Sequence, residues 1–125
     1  MILPCLYTEY SDERGWGVYT DTAIKADTIV EVSPVIVMSA EEKKLLDQTT
    51  LYNYIFDWTD DLCCMAMGNV PVYNHSYQSN CEYIQDFEEK VIYIKTMRDI
   101  QAGEELFVNY NGDWDDDKKV WFEVK

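Results

Sequence analysis

Thr28-Ile29-Val30-Glu31-Val32-Ser33-Pro34-Val35-Ile36-Val37-Met38 is dominated by β-branched residues and alternates in polarity, the pattern of an extended chain with one buried face. Pro34 cannot donate to a ladder, so the stretch reads as two strands or as one bent edge strand. Immediately downstream, Ser39-Ala40-Glu41-Glu42 has the capping-box pattern, and Lys43 to Gln48 can extend a helix by one to two turns. Further on, Tyr52, Tyr54, Phe56 and Trp58 recur with period two and predict a strand with an aromatic face. Glu82–Phe87 and Val91–Thr96 form a second hairpin around the charged turn Glu88-Glu89-Lys90. An internal echo relates Ile24–Val30 to Ile100–Leu106, each a turn feeding a strand, with Asp27 and Gly103 as the residues tolerant of positive φ. Many short strands, one or two small helices and no βαβ alternation predict a mostly β fold.

The chain has 125 residues, which at about 100–200 residues per domain predicts a single domain over 1–125. Hydrophobic residues make up 47%, so wholesale disorder is excluded. Ten basic against 24 acidic residues leave a net charge of −14, which argues against direct binding of nucleic acid or of an anionic membrane and favours a cationic partner. The first residues lack a basic n-region and a sustained apolar stretch, and no apolar run approaches the roughly 18–20 residues that cross a bilayer. A soluble, intracellular, cytoplasmic protein is therefore expected. Cys5, Cys63, Cys64 and Cys81 lack CxxC spacing and are expected to be reduced and mostly buried, which sets a zinc site using His75 well behind.

Three clusters carry residues suited to chemistry. Arg14-Gly15-Trp16-Gly17 places two glycines so that backbone can approach a ligand closely, although a GxG by itself more often marks a plain tight turn. Tyr73 to Cys81 is a polar stretch holding the chain's one histidine, His75. Gly103 to Asp113 combines a turn, a strand and Tyr110.

Taken in order, these clusters resemble the SET-domain protein-lysine methyltransferases. Arg14–Gly17 is similar to that family's RGxG motif, Asn74-His75-Ser76 with Asn80-Cys81 to its NHSxxPNC segment, and Gly103–Tyr110 to its GEELxxxY segment. Ile24–Val30 and Tyr54–Trp58 extend the likeness, which runs from about Tyr7 to Asp113, in the style of the compact microbial and viral members. The resemblance implies small β-clip-like sheets with short helices, in which the Asn74–Asn80 and Leu106–Tyr110 segments meet in a knot-like crossing. It further implies S-adenosylmethionine as cofactor, a lysine side chain of a basic, histone-like protein as substrate, and no metal. Tyr110 would be catalytic. Arg14, Gly15, Trp16, Gly17, Tyr54, Asn74 and His75 would hold the cofactor, the glycine motif and His75 mainly through backbone groups.

This sequence departs from the family pattern in three places. Ser79 stands where a proline is usual, Val108 replaces an aromatic residue two positions before the tyrosine, and no cysteine-rich zinc segment follows. The acidic and aromatic tail 113–125 is therefore expected to close the site, with Trp121 and Phe122 against the cofactor. The same analogy allows a homodimer. Two other readings stay open: a SET-like module that binds basic peptides without turnover, and a metal-binding protein using Asp113, Asp115, Asp116 and Asp117. The second is disfavoured because Lys118 occupies the position where an EF-hand loop needs glycine.

Overall fold

The computed structural model describes residues 1–110. In chain order its strands are β1 (Leu6–Ser11), β2 (Gly15–Thr20), β3 (Ile29–Met38), β4 (Phe56–Asp57), β5 (Cys63–Ala66), β6 (Asn74–His75), β7 (Cys81–Asp86), β8 (Val91–Thr96) and β9 (Glu105–Val108), with one helix, α1 (Ala40–Leu46). They form a four-stranded sheet ordered β1-β2-β9-β6 and a five-stranded sheet ordered β4-β5-β3-β8-β7. The expected mostly β fold with small sheets is what the chain adopts.

β3 is neither split nor at an edge. It runs unbroken through the centre of its sheet and changes partner at Pro34, which ends the β8 ladder opposite Val91, while Val35 begins the β5 ladder opposite Ala66. The Pro34 carbonyl accepts the Met67 N–H at 2.9 Å, so the missing proline N–H falls where the β5 ladder terminates. A central strand can therefore carry a proline, because this proline stands where no ladder bond is owed.

α1 begins as its capping box predicts: the Glu42 N–H reaches Ser39 Oγ at 3.1 Å, and Glu42 Oε2 accepts the Ser39 N–H at 2.8 Å. The β7–β8 hairpin also forms as expected, with Lys90 closing its turn at φ +57°.

The predicted strand at 52–58 does not form. Thr50–Tyr54 is a 3-10 turn capped by Thr49, and only Phe56–Asp57 is extended. Tyr52 and Tyr54 are consequently exposed whereas Trp58 is buried, so the four aromatics share no face. The alternation has meaning only in an extended chain, and the Thr49 Oγ1 cap on the Leu51 N–H starts a tighter winding.

The internal echo has a structural counterpart. Ile24 and Ile100 exchange both backbone hydrogen bonds at 2.8 Å, and Asp27 (φ +61°) and Gly103 (φ +88°) each donate an N–H to the carbonyl of a strand-ending threonine, Thr96 and Thr20. Two equivalent turns thus pair back to back and lock the two sheets together. The core they close contains Val18, Val30, Ile92, Ile94, Ile100, Leu106 and Val108. Cys63, Cys64 and Cys81 are buried free thiols and Cys5 is half-buried, as expected. Among the described residues no helix is long and apolar enough to cross a membrane.

Candidate active site

The site is built where two distant segments run side by side. β6 pairs in parallel with β9, Asn74 opposite Phe107 and His75 opposite Val108. Two paired residues are too few to hold a strand, and the side chain of Asn80 extends the pairing. Its Nδ2 donates to the Glu105 carbonyl and its Oδ1 accepts the Phe107 N–H, both at 2.8 Å, with the residue 1% exposed. The Ser76 N–H to the Val108 carbonyl, at 3.1 Å, continues the crossing. The segments implied by the resemblance do pass alongside each other.

His75 is buried, and its Nδ1 accepts the backbone N–H of Tyr110 at 2.9 Å. Its ring thus sets the backbone of Tyr110. Burial lowers the His75 pKa below the usual 6.5, favouring the neutral ring that this bond requires. A folded value below the unfolded one means that the contribution is complete above about 6.5 and lost as the pH falls through the folded value. Thermal melting should therefore drop more steeply between about pH 7 and pH 5 in the wild type than in His75→Asn, which keeps an acceptor near Nδ1 but cannot titrate. Equal slopes would remove His75 from the acid response.

A buried carboxylate organises the other flank. Glu105 Oε1 accepts Nη2 and Nε of Arg14 at 2.7 and 3.2 Å, and Oε2 accepts Asn74 Nδ2 at 2.8 Å. Arg14, lying over the Phe107 ring, has its pKa raised by the Glu105 hydrogen bond, so the guanidinium stays charged. Asn74 Nδ2 also donates to the Trp16 carbonyl at 3.1 Å. Because both partners are pure acceptors, the amide orientation is settled: the NH2 is engaged on both sides, and Oδ1 meets any ligand as an acceptor. Gly17 leaves room for this arrangement, since a Cβ there would stand 2.5 Å from Glu105 Oε2. Gly15 serves the turn instead, at φ +74° with open space around it. The close approach that Gly17 permits is to the Glu105 and Asn74 side chains, and the tight turn belongs to Gly15.

Two clefts open at this junction. One, of about 650 Å³, is lined by Arg14, Gly15, Trp16, Asn74, Tyr54 and Tyr110 among others. The second, of about 510 Å³, has walls that include Tyr52, Phe56, Asp57, Tyr83, Tyr54 and Tyr110. Asn53, Tyr54, Pro71 and Tyr110 belong to both. The Tyr110 hydroxyl donates to the Tyr73 carbonyl at 2.8 Å, and burial, with smaller contributions from Tyr54 and Glu105, pushes its pKa up to about 12. The phenol is protonated at any ordinary assay pH.

Of the residues singled out from sequence, Arg14, Gly15, Trp16, Tyr54, Asn74 and Tyr110 meet around the clefts. Gly17 and the His75 ring stand behind the lining rather than in it. Trp121, Phe122 and the acidic run at Asp113, Asp115, Asp116 and Asp117 lie outside the described residues. Glu105, Tyr73, Pro71 and Asn53 were not singled out. For Glu105 a signal existed, a carboxylate within an apolar strand pattern; Pro71 and Asn53 offered none.

Comparison with known proteins agrees with this geometry. The family model for the SET domain matches residues 15–111. A curated relative, the H3 lysine-37-specific histone-lysine N-methyltransferase of Schizosaccharomyces pombe, is 32% identical over 114 residues, covering 90% of this chain and 74% of the relative. The crystal structure of a Plasmodium falciparum histone methyltransferase candidate superposes with a TM-score of 0.69 at 23% identity, over 90% of this chain and 98% of that one.

Proposed function

This chain belongs to the SET domain family and is a protein-lysine N-methyltransferase; on that premise we propose that the methyl donor occupies the Trp16 cleft, that the target lysine enters through the Tyr52 cleft, and that transfer takes place beside Tyr110 between them. The observation that carries this reading is that two clefts, one beside the glycine motif and one walled by aromatic rings, share Tyr110 as a common wall. A reaction that brings two substrates together in line needs such an arrangement.

Members of the family use S-adenosylmethionine, which supplies a methyl group on a positively charged sulfur. The residues of the first cleft fit it. Asn74 Oδ1, fixed as an acceptor, suits an ammonium or an adenine amine, and the turn at Gly15 and Trp16 brings backbone to the surface of the cleft. Tyr10 and Trp16, packed edge to face at 5.8 Å, offer apolar area there. In the second cleft the protein must deliver a neutral amine, because a lysine with its ordinary pKa of about 10.4 is protonated and has no lone pair for attack. Rings of Tyr52, Tyr54, Phe56, Tyr83 and Tyr110 strip water from the side chain and so disfavour the ammonium form. The proton leaves to solvent at the mouth of the cleft. Tyr110, kept neutral, meets the amine and the partly positive methyl with its oxygen and does not compete as a phenolate. Holding the reacting atoms collinear supplies the orientational part of the rate, which can reach several kcal/mol.

A basic, histone-like protein is the substrate class that the charge supports. The chain carries −14 overall, and in the second cleft, where Asp47 is paired with Lys43 at 3.5 Å, Asp57 remains to attract lysine- and arginine-rich segments and speed encounter at low salt. The direct test is calorimetry with S-adenosylmethionine together with transfer of labelled methyl to core histones, using serum albumin as the acidic control. Cofactor binding and label on the histones are expected; absence of binding heat, or equal labelling of albumin, overturns the assignment. Asn74→Ala should weaken S-adenosylmethionine binding by about 1–3 kcal/mol, roughly 5- to 150-fold, by withdrawing one cleft-lining acceptor and releasing Glu105. Unchanged affinity in a folded variant removes Asn74 from the cofactor site.

A further inference from the structure

Glu31, in the middle of β3, is fully buried, and three neutral donors share its carboxylate. Oε2 accepts the Ser33 hydroxyl at 2.7 Å and the Asn69 backbone N–H at 2.8 Å; Oε1 accepts the Tyr73 hydroxyl at 3.0 Å. The surrounding chain is cut to fit. Gly68, at φ +63°, has no room for a Cβ, which would run into Glu31 Oε2 and Ser33 Oγ. Burying a carboxylate is expensive, and a core position would ordinarily be filled more cheaply by an apolar side chain.

What Glu31 holds is informative. Asn69 and Tyr73 are the two ends of the turn around Val70–Val72, so one carboxylate staples both ends of a segment that is closed internally by the Val72 N–H to the Asn69 carbonyl at 2.8 Å. Pro71, at its apex, lines both clefts, and Asn74 begins at its far end. Tyr73, 1% exposed, is gripped at its hydroxyl by Glu31 and supplies the carbonyl that accepts the Tyr110 hydroxyl. A hydroxyl has one hydrogen to give, so the position of that carbonyl dictates where the Tyr110 lone pairs point.

We propose that Glu31 is a positioning residue for methyl transfer: it acts through Tyr73, whose carbonyl aims the Tyr110 hydroxyl at the junction of the two clefts. This rests on Tyr110 being the catalytic tyrosine, and the test separates the two ideas. Turnover of core histones and S-adenosylmethionine affinity are measured for Tyr73→Phe, Glu31→Ala, Glu31→Gln, Tyr110→Phe and the double variant Tyr73→Phe/Tyr110→Phe. Tyr73→Phe, which deletes a single oxygen, should lower kcat about tenfold while leaving KM and cofactor affinity within about twofold. Glu31→Ala should act in the same direction. Glu31→Gln, which keeps an oxygen for Ser33 and Asn69 and turns an amide toward a hydroxyl able to accept, should recover activity to within about threefold of wild type. In the Tyr110→Phe background, Tyr73→Phe should cost less than about twofold more, because the hydroxyl it aims is gone. Effects that multiply in the double variant, or a raised KM at unchanged kcat, overturn the proposal by reducing Glu31 and Tyr73 to a structural wall. Wild-type turnover in Tyr110→Phe alone overturns the reading on which it rests. Should Glu31→Ala fail to fold, Tyr73→Phe and the double variant decide the question by themselves.

Discussion

Tyr110→Phe should leave the protein folded and its cofactor affinity unchanged, yet lower the rate of methyl transfer at least about tenfold, more than about 1.4 kcal/mol of barrier. The fold survives because the ring keeps its contacts, and the lost hydrogen bond to the Tyr73 carbonyl costs only about 0.5–1.5 kcal/mol of stability. Affinity should survive because the substitution removes a single oxygen and leaves Asn74 and the glycine motif, which line the same cleft, untouched. What would disappear is the oxygen at the wall common to both clefts, where the proposed transfer moves charge from sulfur to nitrogen. Single-turnover kinetics with prebound cofactor isolates that step. Turnover within twofold of wild type would show that the hydroxyl does not take part in it.

Glu105→Ala should have the largest effect on stability. Removing this carboxylate, only 5% exposed, leaves the Arg14 guanidinium with the exposed Glu13 at 3.7 Å as its remaining carboxylate and frees an Asn74 hydrogen. Breaking one side of a buried ion pair costs about 3–5 kcal/mol, and the 26% exposure of Arg14 puts the value near the lower end. For a chain of this size that is a fall in melting temperature of many degrees, and it should be accompanied by weaker S-adenosylmethionine binding because Asn74 is no longer held. Glu105→Gln gives the informative contrast. One amide oxygen can still accept from Arg14 or from Asn74 but not from both in the native geometry, so it should retain the fold and still lose affinity. A Glu105→Gln variant that binds the cofactor as tightly as the wild type would separate Glu105 from the orientation of Asn74.

Much of the architecture is carried by local signals. The capping box at Ser39, the β7–β8 hairpin and the two turns at Asp27 and Gly103 each depend on residues within a few positions of one another, so the sequence suffices to place them. The order of Arg14–Gly17, Asn74–Asn80 and Gly103–Tyr110 carried the family and its chemistry in the same way, because each motif is a short run whose residue types are read directly. Where two local signals competed, sequence reading chose wrongly. The alternation at 52–58 pointed to a strand, and the threonine cap at Thr49 turned those residues into the 3-10 segment that places Tyr52 and Tyr54 on the rims of the clefts.

By itself, then, the sequence determined the strand-rich class, the turns and the set of reactive side chains, all properties of neighbouring residues or of residue type. Only the tertiary structure decided that Pro34 sits in a central strand, since a proline is harmless or ruinous according to which ladder needs its N–H. It also decided which polar groups meet: Arg14 and Glu105 are 91 residues apart in the chain, and Glu31 and Tyr73 are 42 apart. No periodicity or turn preference extends that far. A buried carboxylate finds its donors only when the sheets close around it, and the aim of Tyr110 is settled at that same moment.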